Sequence, residues 1–122
     1  MLFRSAVSEQ LLTTTVTIAN GASLSGAADL DQYTLAAVVL PGTWTAAALT
    51  FQVTYDGTNY FDLSDKDGEV SISSTVAVAS KAIALEPYKF LRVAGVKVRS
   101  GTSGTPVNQG GARILTLVYS PL

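Results

Sequence analysis

Three acidic residues, Asp65, Asp67 and Glu69, alternate within the segment DKDGE, where they have the spacing of metal ligands. Alternating carboxylates followed by a glycine open calcium-binding loops, in which oxygen atoms surround the ion. Such a loop also needs further oxygen ligands and a closing glutamate, which Ser73 and Ser74 do not supply. Because Asp-Gly is typical of tight turns, we interpret the segment as the solvated tip of a hairpin and predict no metal site.

A second pair of carboxylates, Asp56 and Asp62, has the residue types of a glycoside hydrolase site. Asp56 begins an Asp-Gly turn signal, however, and Asp62 is predicted to point outward between Phe61 and Leu63. The chain has no histidine, which excludes a Ser-His-Asp triad. No serine stands at Ser-x-x-Lys spacing from a lysine. We therefore predict no catalytic residues and a protein that is not an enzyme.

The composition excludes several further classes of site. Cysteine, like histidine, is absent from the 122 residues, so no disulfide can form and no thiolate or imidazole can bind zinc, copper or haem. We predict no cofactor. Charged residues make up 14% of the chain and the formal net charge is -1. Since no basic stripe is present to displace counterions from phosphates, we predict no nucleic-acid partner.

Aromatic rings offer a different function, the stacking of sugars. The candidate rings are Tyr33, Trp44, Tyr55, Tyr60 and Tyr88, with Gln52, Asn59 and Asp62 as hydrogen-bonding groups. The simpler interpretation is that the rings pack in the core or at its corners while each polar atom reaches a partner. Trp44 in particular lies just before an apolar strand. This is a common position for a residue that closes the end of a core. Carbohydrate binding is therefore the less favoured alternative.

The segment 49–72 shows how the chain would position these groups. Apolar and polar residues alternate in it, which predicts a strand with one buried and one exposed face. The predicted buried residues are Leu49, Phe51, Val53 and Tyr55, and the predicted exposed ones are Thr50, Gln52 and Thr54. Asp56-Gly57 and Asp67-Gly68 then mark two reversals of the chain. The pattern predicts a β-meander.

The same signals extend over most of the chain and predict an all-β fold. Candidate strands are 13–18, 33–40, 48–55, 59–64, 69–74, 76–85, 90–99 and 112–119. Short strands separated by turns, without helical crossovers, predict a single antiparallel β-sandwich of about eight strands. A jelly roll is the first choice because its strand number fits, and an immunoglobulin-like sandwich is the second. The predicted domain covers 13–122, and 1–12 is predicted to be a short N-terminal arm.

Two segments are candidates for contact with other proteins, the arm and the glycine-rich loop 100–111. A loop held by a rigid scaffold is a common binding element, although a flexible connection is an equally good interpretation. The candidate contact residues are Leu2, Phe3, Arg4, Leu11 and Leu12 in the arm, and Arg99, Thr105, Asn108, Gln109 and Arg113 in or beside the loop. The start of the chain has no signal peptide or membrane span, so we expect folding in a cytoplasm and no membrane partner.

Several strings resemble small structural proteins of tailed bacteriophages and prophages. They are LTFQVTYDGTNYFDL, ALEPYKF, LRVAGVKVRSGTSGTPVNQ and ARILTLV, preceded by a Trp-Thr segment at 42–45. The likeness covers roughly residues 13–120, in order as well as in composition.

The resemblance implies a virion component without catalytic residues, assembled in the bacterial host cytoplasm. A capsid decoration, or cement, protein that binds the major capsid protein and stabilises the head shell is the first expectation, and a homotrimer is its expected state. A head-fibre base or a tail accessory module is the alternative. A carbohydrate-binding β-sandwich module is a further one.

Overall fold

The computed structural model describes residues 12–122. The predicted contact residues Leu2, Phe3, Arg4 and Leu11 lie outside the described residues. The strands are β1 (Leu12–Ile18), β2 (Ala28–Asp29), β3 (Tyr33–Val39), β4 (Leu49–Thr54), β5 (Phe61–Asp62), β6 (Ser64–Asp65), β7 (Gly68–Glu69), β8 (Ala82–Ala84), β9 (Gly95–Ser100) and β10 (Arg113–Pro121). A short 3-10 helix covers Pro87–Phe90.

The strands form two four-stranded antiparallel sheets and one small hairpin. Sheet 1 has the order β1-β10-β3-β8, sheet 2 has the order β2-β9-β4-β5, and β6 pairs with β7. The pairings are nested, because β1 pairs with β10, β2 with β9, β3 with β8 and β4 with β5. A long hairpin rolled into two sheets in this way is a jelly roll. The predicted all-β antiparallel sandwich is confirmed, with the β6–β7 hairpin inserted between β5 and β8.

Apolar side chains from both sheets share one core. Sheet 1 contributes Val16, Ile18, Val38, Leu115 and Leu117, and sheet 2 contributes Phe51, Val53, Val96 and Val98. The 3-10 helix adds Phe90, whose ring meets the ring of Phe51 edge-on at a centroid distance of 5.2 Å. Trp44 is buried and its indole N–H donates to the Ala77 carbonyl at 3.1 Å, so it closes the core as predicted.

Long strands were predicted more accurately than short ones. The predicted strands 13–18, 33–40, 48–55 and 112–119 correspond to β1, β3, β4 and β10. The others are shorter than predicted: 59–64 contains β5, 69–74 retains only part of β7, and 76–85 contains only β8. Strand 90–99 begins late, at Gly95. Pro87 explains this delay, because its fixed φ and missing N–H suit the first turn of a helix.

Two other boundaries differ from the predictions. Strand β2 was missed, since its two residues are too few for a periodic pattern. Leu12 was assigned to the arm but is the first residue of β1, where it lies opposite Tyr119 of β10. Leu12 is therefore part of the sandwich.

The alternation predicted for β4 is correct on one face and wrong on the other. Leu49, Phe51 and Val53 are buried as predicted, but Thr50 and Thr54 are also buried. Thr50 lies beneath the loop after β9 and its hydroxyl donates to the Gly101 carbonyl at 2.7 Å. Tyr55 lies beyond the end of β4 and is 63% exposed, contrary to its predicted burial. The loops at the ends of the sandwich therefore determine the exposure of Thr50, Thr54 and Tyr55.

Candidate functional site

The outer face of sheet 1 carries no charged side chain among the described residues. Residues opposite each other on paired strands project from the same face. The face consists of Thr13, Thr15, Thr17, Ala37, Val39, Ala82, Ala84, Ile114, Thr116 and Val118, and we call it the uncharged face. All ten residues are exposed or half-buried, and Ile114 is 57% exposed. Their strand neighbours Val16, Leu115 and Leu117 point the other way and are buried.

The outer face of sheet 2 has the opposite character. Its cross-strand rows bring together Asp29, Lys97, Arg99 and Asp62, with Gln52 between them. Both faces belong to a similar four-stranded sheet, so the difference does not follow from the fold. A broad uncharged surface is unusual on a chain that meets only water, and such patches mark interaction sites. The contrast makes the uncharged face the leading candidate for a docking surface.

Strand β1 extends this candidate surface to an edge of the sheet. Within residues 12–122 its only strand neighbour is β10. Its sequence, LTTTVTI, contains none of the charges or prolines that commonly protect sheet edges. The Thr17 carbonyl accepts a hydrogen bond from the Gly26 N–H on the outer side, at 3.3 Å. The direction of the backbone N–H and C=O groups alternates along an antiparallel strand. The backbone groups of Thr13 and Thr15 therefore point, like those of Thr17, away from β10. This geometry is suited to the addition of another strand.

The uncharged face was not predicted from the sequence. Its signal was partly visible, because Thr13, Thr15 and Thr17 alternate, as do Ile114, Thr116 and Val118. The residue types alone did not show that these two stretches lie side by side. Nor did the alanines of β8 suggest a surface, since alanine is common both in cores and outside them.

Four of the predicted contact residues have accessible side chains in the structure. Leu12 is 45% exposed at the start of β1. Thr105 and Asn108 are exposed in the loop 101–112, and Arg113 is half-buried at the start of β10. None of the four belongs to the uncharged face.

Gln109 requires a correction, because it is fully buried. Its side-chain oxygen accepts hydrogen bonds from the Thr45 N–H at 2.9 Å and from Arg113 Nε at 3.0 Å. Its side-chain nitrogen donates to the Thr45 carbonyl and the Ser100 hydroxyl, both at 2.9 Å. The main chain of Gln109 also bonds to Gly21 and Ala22. Gln109 thus joins three loops of one chain and leaves no polar atom for a partner.

Arg99 requires the same correction. Its guanidinium is 9% exposed and contacts Asp62 at 2.5 Å and Glu69 at 3.2 Å. The hydrogen bond from Arg99 holds the pKa of the Asp62 carboxyl below its usual value. Glu69 also accepts from the Ser103 N–H at 3.2 Å. The Arg99 cluster therefore ties β9 to β5, to the β6–β7 hairpin and to the loop 101–112.

The three carboxylates of the DKDGE segment do not converge on one point. Asp65 accepts from the Asp67 N–H at 2.8 Å and forms an ion pair with Lys89 at 3.0 Å. Asp67 pairs with Lys66 at 3.0 Å, whereas Glu69 faces Arg99. The hairpin interpretation is confirmed by the β6–β7 pairing. Within the described part of the chain, no group of three or more acidic side chains is arranged to hold a metal ion.

Asp56 organises the turn between β4 and β5. Its carboxylate accepts from the backbone N–H groups of Asn59 and Thr58, each at 2.8 Å. These bonds hold the pKa of the Asp56 carboxyl well below its usual value. A carboxylate held in this way stabilises the turn.

The five candidate aromatic residues separate into two groups. Trp44 is buried, Tyr33 packs against Tyr119 at 6.2 Å, and Tyr60 lies 4.5 Å from the Lys97 ammonium. Tyr55 and Tyr88 are 63% and 64% exposed and line the same groove. The less favoured alternative, a platform of all five rings, does not form, but Tyr55 and Tyr88 lie together.

Comparison of the chain with protein-family profiles gave no match. Searches of curated proteins and of solved structures likewise gave no match. Among residues 12–122, no helix is long and apolar enough to span a membrane.

Proposed function

We propose that this chain is a non-enzymatic virion structural protein, a capsid decoration protein that binds the shell of a phage head. The observation that carries the proposal is the uncharged face of sheet 1. Ten neighbouring positions, on two four-stranded rows and one two-stranded row, expose alanine, valine, isoleucine and threonine to solvent. Burying these side chains against another protein desolvates no charged group on this face. The free energy gained by apolar burial is therefore not reduced by a cost of desolvating charges.

The shape and chemistry of the face favour a flat protein partner. Most of its side chains are short, being threonine, alanine or valine, and a recess of about 400 Å³ borders the face at Ala82 and Ala84. Lys81 lies beside Ala82 at the margin, as the charged rim of an interface does. Shell subunits of a capsid offer flat, repeated surfaces of this kind. Jelly rolls recur in viral capsids, and the sequence resemblance directs the proposal to tailed phages.

Other parts of the proposal concern how the protein is arranged on the particle. Edge strand β1 is suited to accept or donate a strand, so we propose that the segment 1–11 and β1 extend the contact to a neighbouring subunit. A homotrimer located in the virion, after assembly in the bacterial cytoplasm, remains the proposed state. A head-fibre base or a tail accessory module would use the same face against a different virion protein.

Attachment to particles stripped of this component tests the proposal. The decisive variant is Ile114→Glu, which places a charge on the uncharged face. The matched control is Leu91→Glu, since Leu91 is exposed to a similar extent, 49% against 57%, and follows the 3-10 helix, outside the ten residues of this face. Both variants should keep the parent's thermal unfolding. We expect Leu91→Glu to attach like the parent protein and Ile114→Glu to lose most attachment, as measured by co-sedimentation.

Two results would contradict the proposal. Attachment of Ile114→Glu equal to that of Leu91→Glu would exclude the uncharged face as the docking surface. Loss of self-association by Ile114→Glu in analytical ultracentrifugation, with attachment unchanged, would assign the face to contacts between copies instead.

A further inference from the structure

An open groove of about 590 Å³ lies between the β6–β7 hairpin and the 3-10 helix. Tyr55, which follows β4, and Tyr88, on the 3-10 helix, both line it. Each ring is more than half exposed. Leu63 and Val70 add apolar lining. The groove thus presents two uncovered aromatic rings that are far apart in the sequence.

The charged groups beside the two rings form ion pairs with one another, which fix their positions. The Lys89 ammonium lies between Glu86, at 2.8 Å, and Asp65, at 3.0 Å. The Tyr88 hydroxyl donates to the second oxygen of Glu86 at 3.2 Å. Hydrogen bonding to Lys89 lowers the pKa of both carboxyls, and the pKa of Lys89 is raised in turn. All three groups are therefore ionised at neutral pH and positioned before any ligand arrives.

The balance of charges narrows the class of ligand. Phosphates and sulfates would meet three carboxylates, of Asp65, Asp67 and Glu86, and the two ammonium groups in the lining, Lys66 and Lys89, are already paired with those carboxylates. A cationic peptide would have to displace Lys89 from its two carboxylates. A purely apolar ligand would desolvate ionised groups without replacing their hydrogen bonds. A neutral molecule with many hydroxyl groups avoids all three costs, because hydroxyls both donate to carboxylates and accept from ammonium.

We propose that this groove binds a neutral saccharide. The saccharide packs its C–H faces against both Tyr55 and Tyr88, and its hydroxyls bond to Asp65, Glu86 and Lys89. The lining residues share no member with the uncharged face. Saccharide binding is thus an activity separate from docking through the uncharged face.

A glycan array containing neutral and acidic oligosaccharides tests the proposal, followed by calorimetry with the best neutral glycan. We expect Tyr55→Ala and Tyr88→Ala each to weaken binding by about tenfold, through lost ring contact. Tyr55→Phe should bind like the parent, since the ring face remains. Ile114→Glu should also bind like the parent, which separates this result from the docking experiment. Circular dichroism and thermal unfolding confirm that the variants are folded.

Three results would overturn the proposal. The first is an array on which the folded protein retains no neutral glycan. The second is retention of acidic glycans alone. The third is a neutral glycan that binds Tyr55→Ala and Tyr88→Ala as tightly as the parent, which would exclude the groove.

Discussion

The carboxamide of Gln109 pairs with the main chain of Thr45 through two hydrogen bonds of 2.9 Å, one donated and one accepted. These two bonds have the donor and acceptor pattern of a β-bridge, with a side-chain amide in place of one backbone. The two residues are remote in sequence. Thr45 belongs to the β3–β4 connection and Gln109 to the β9–β10 connection. Through Gly21 and Ala22, the main chain of Gln109 also reaches the β1–β2 connection. One residue therefore closes one end of the jelly roll.

Gln109→Ala should destabilise the protein by about 3 kcal/mol, because it leaves the buried Ser100 hydroxyl and part-buried polar groups of Thr45 and Arg113 without partners. Urea unfolding monitored by Trp44 fluorescence measures the change. The neighbouring residue provides a control: Asn108 is exposed, so Asn108→Ala should stay within about 0.5 kcal/mol of the parent. Equal losses for the two variants would show that the Gln109 network contributes little.

Thr50→Val should cost about 1–3 kcal/mol, because the Gly101 carbonyl loses its donor in a buried position. Phe51→Ala on the same strand should cost about 3–5 kcal/mol through lost burial and a cavity. Thr15→Val, on an exposed position of β1, should change the unfolding free energy by under about 0.5 kcal/mol. Chemical denaturation of the three variants is the measurement. A Thr50→Val variant as stable as Thr15→Val would mean that the buried hydroxyl is dispensable.

Acid should destabilise the protein as its ion pairs are protonated. The pKa values of Asp62, Asp65 and Glu86 are lowered in the folded state by Arg99 or Lys89. A lowered folded pKa stabilises the protein above the ordinary value, about 4, and this contribution is lost as pH falls through the folded value. We expect the melting temperature to fall below about pH 4 and to fall less steeply in Asp62→Asn.

The matched control for acid unfolding is Asp31→Asn. Asp31 is exposed and forms no ion pair with another described residue. This variant should follow the parent's pH profile. A profile of Asp62→Asn that coincides with that of Asp31→Asn would contradict the role given to the Arg99 cluster.

Deletion of residues 1–11 should leave the melting temperature within a few degrees of the parent, because the ten strands and the core described above all lie in 12–122. The deletion must stop before Leu12, which pairs with Tyr119 in the sheet. The same deletion should weaken self-association or particle attachment, through lost contact area. Ultracentrifugation and co-sedimentation measure these effects. Unchanged attachment together with a large loss of stability would assign the segment to the fold instead of to docking.

The sequence by itself determined the class of fold and the longest strands. Alternation in β1, β4 and β10 repeats every two residues, which is a property of local backbone geometry and needs no knowledge of distant neighbours. The turn signals Asp56-Gly57 and Asp67-Gly68 act over four residues and were predicted correctly for the same reason. The absence of cysteine and histidine also excluded whole classes of chemistry without any structure.

The polarity of a residue did not predict whether it is buried or exposed where loops cover the end of a strand. Arg99, Gln109 and Thr50 are polar, and each was predicted to be available to a partner or to solvent. Their burial depends on partners from other strands and loops: Asp62 and Glu69 for Arg99, Thr45 for Gln109, and Gly101 for Thr50. A buried polar group is stable only when such partners exist, and these partners are not adjacent in sequence.

Only the tertiary structure decided the surfaces. The nested pairing places Thr13 beside Val118, and Ala37 between Val118 and Ala84, so that separate uncharged stretches become one face. It likewise brings Tyr55 and Tyr88 to one groove. Local periodicity predicts which face of a strand is exposed to water, because successive side chains alternate between the two faces. Which strands lie side by side is chosen by closure of the whole sandwich, and the proposed sites of this protein are products of that closure.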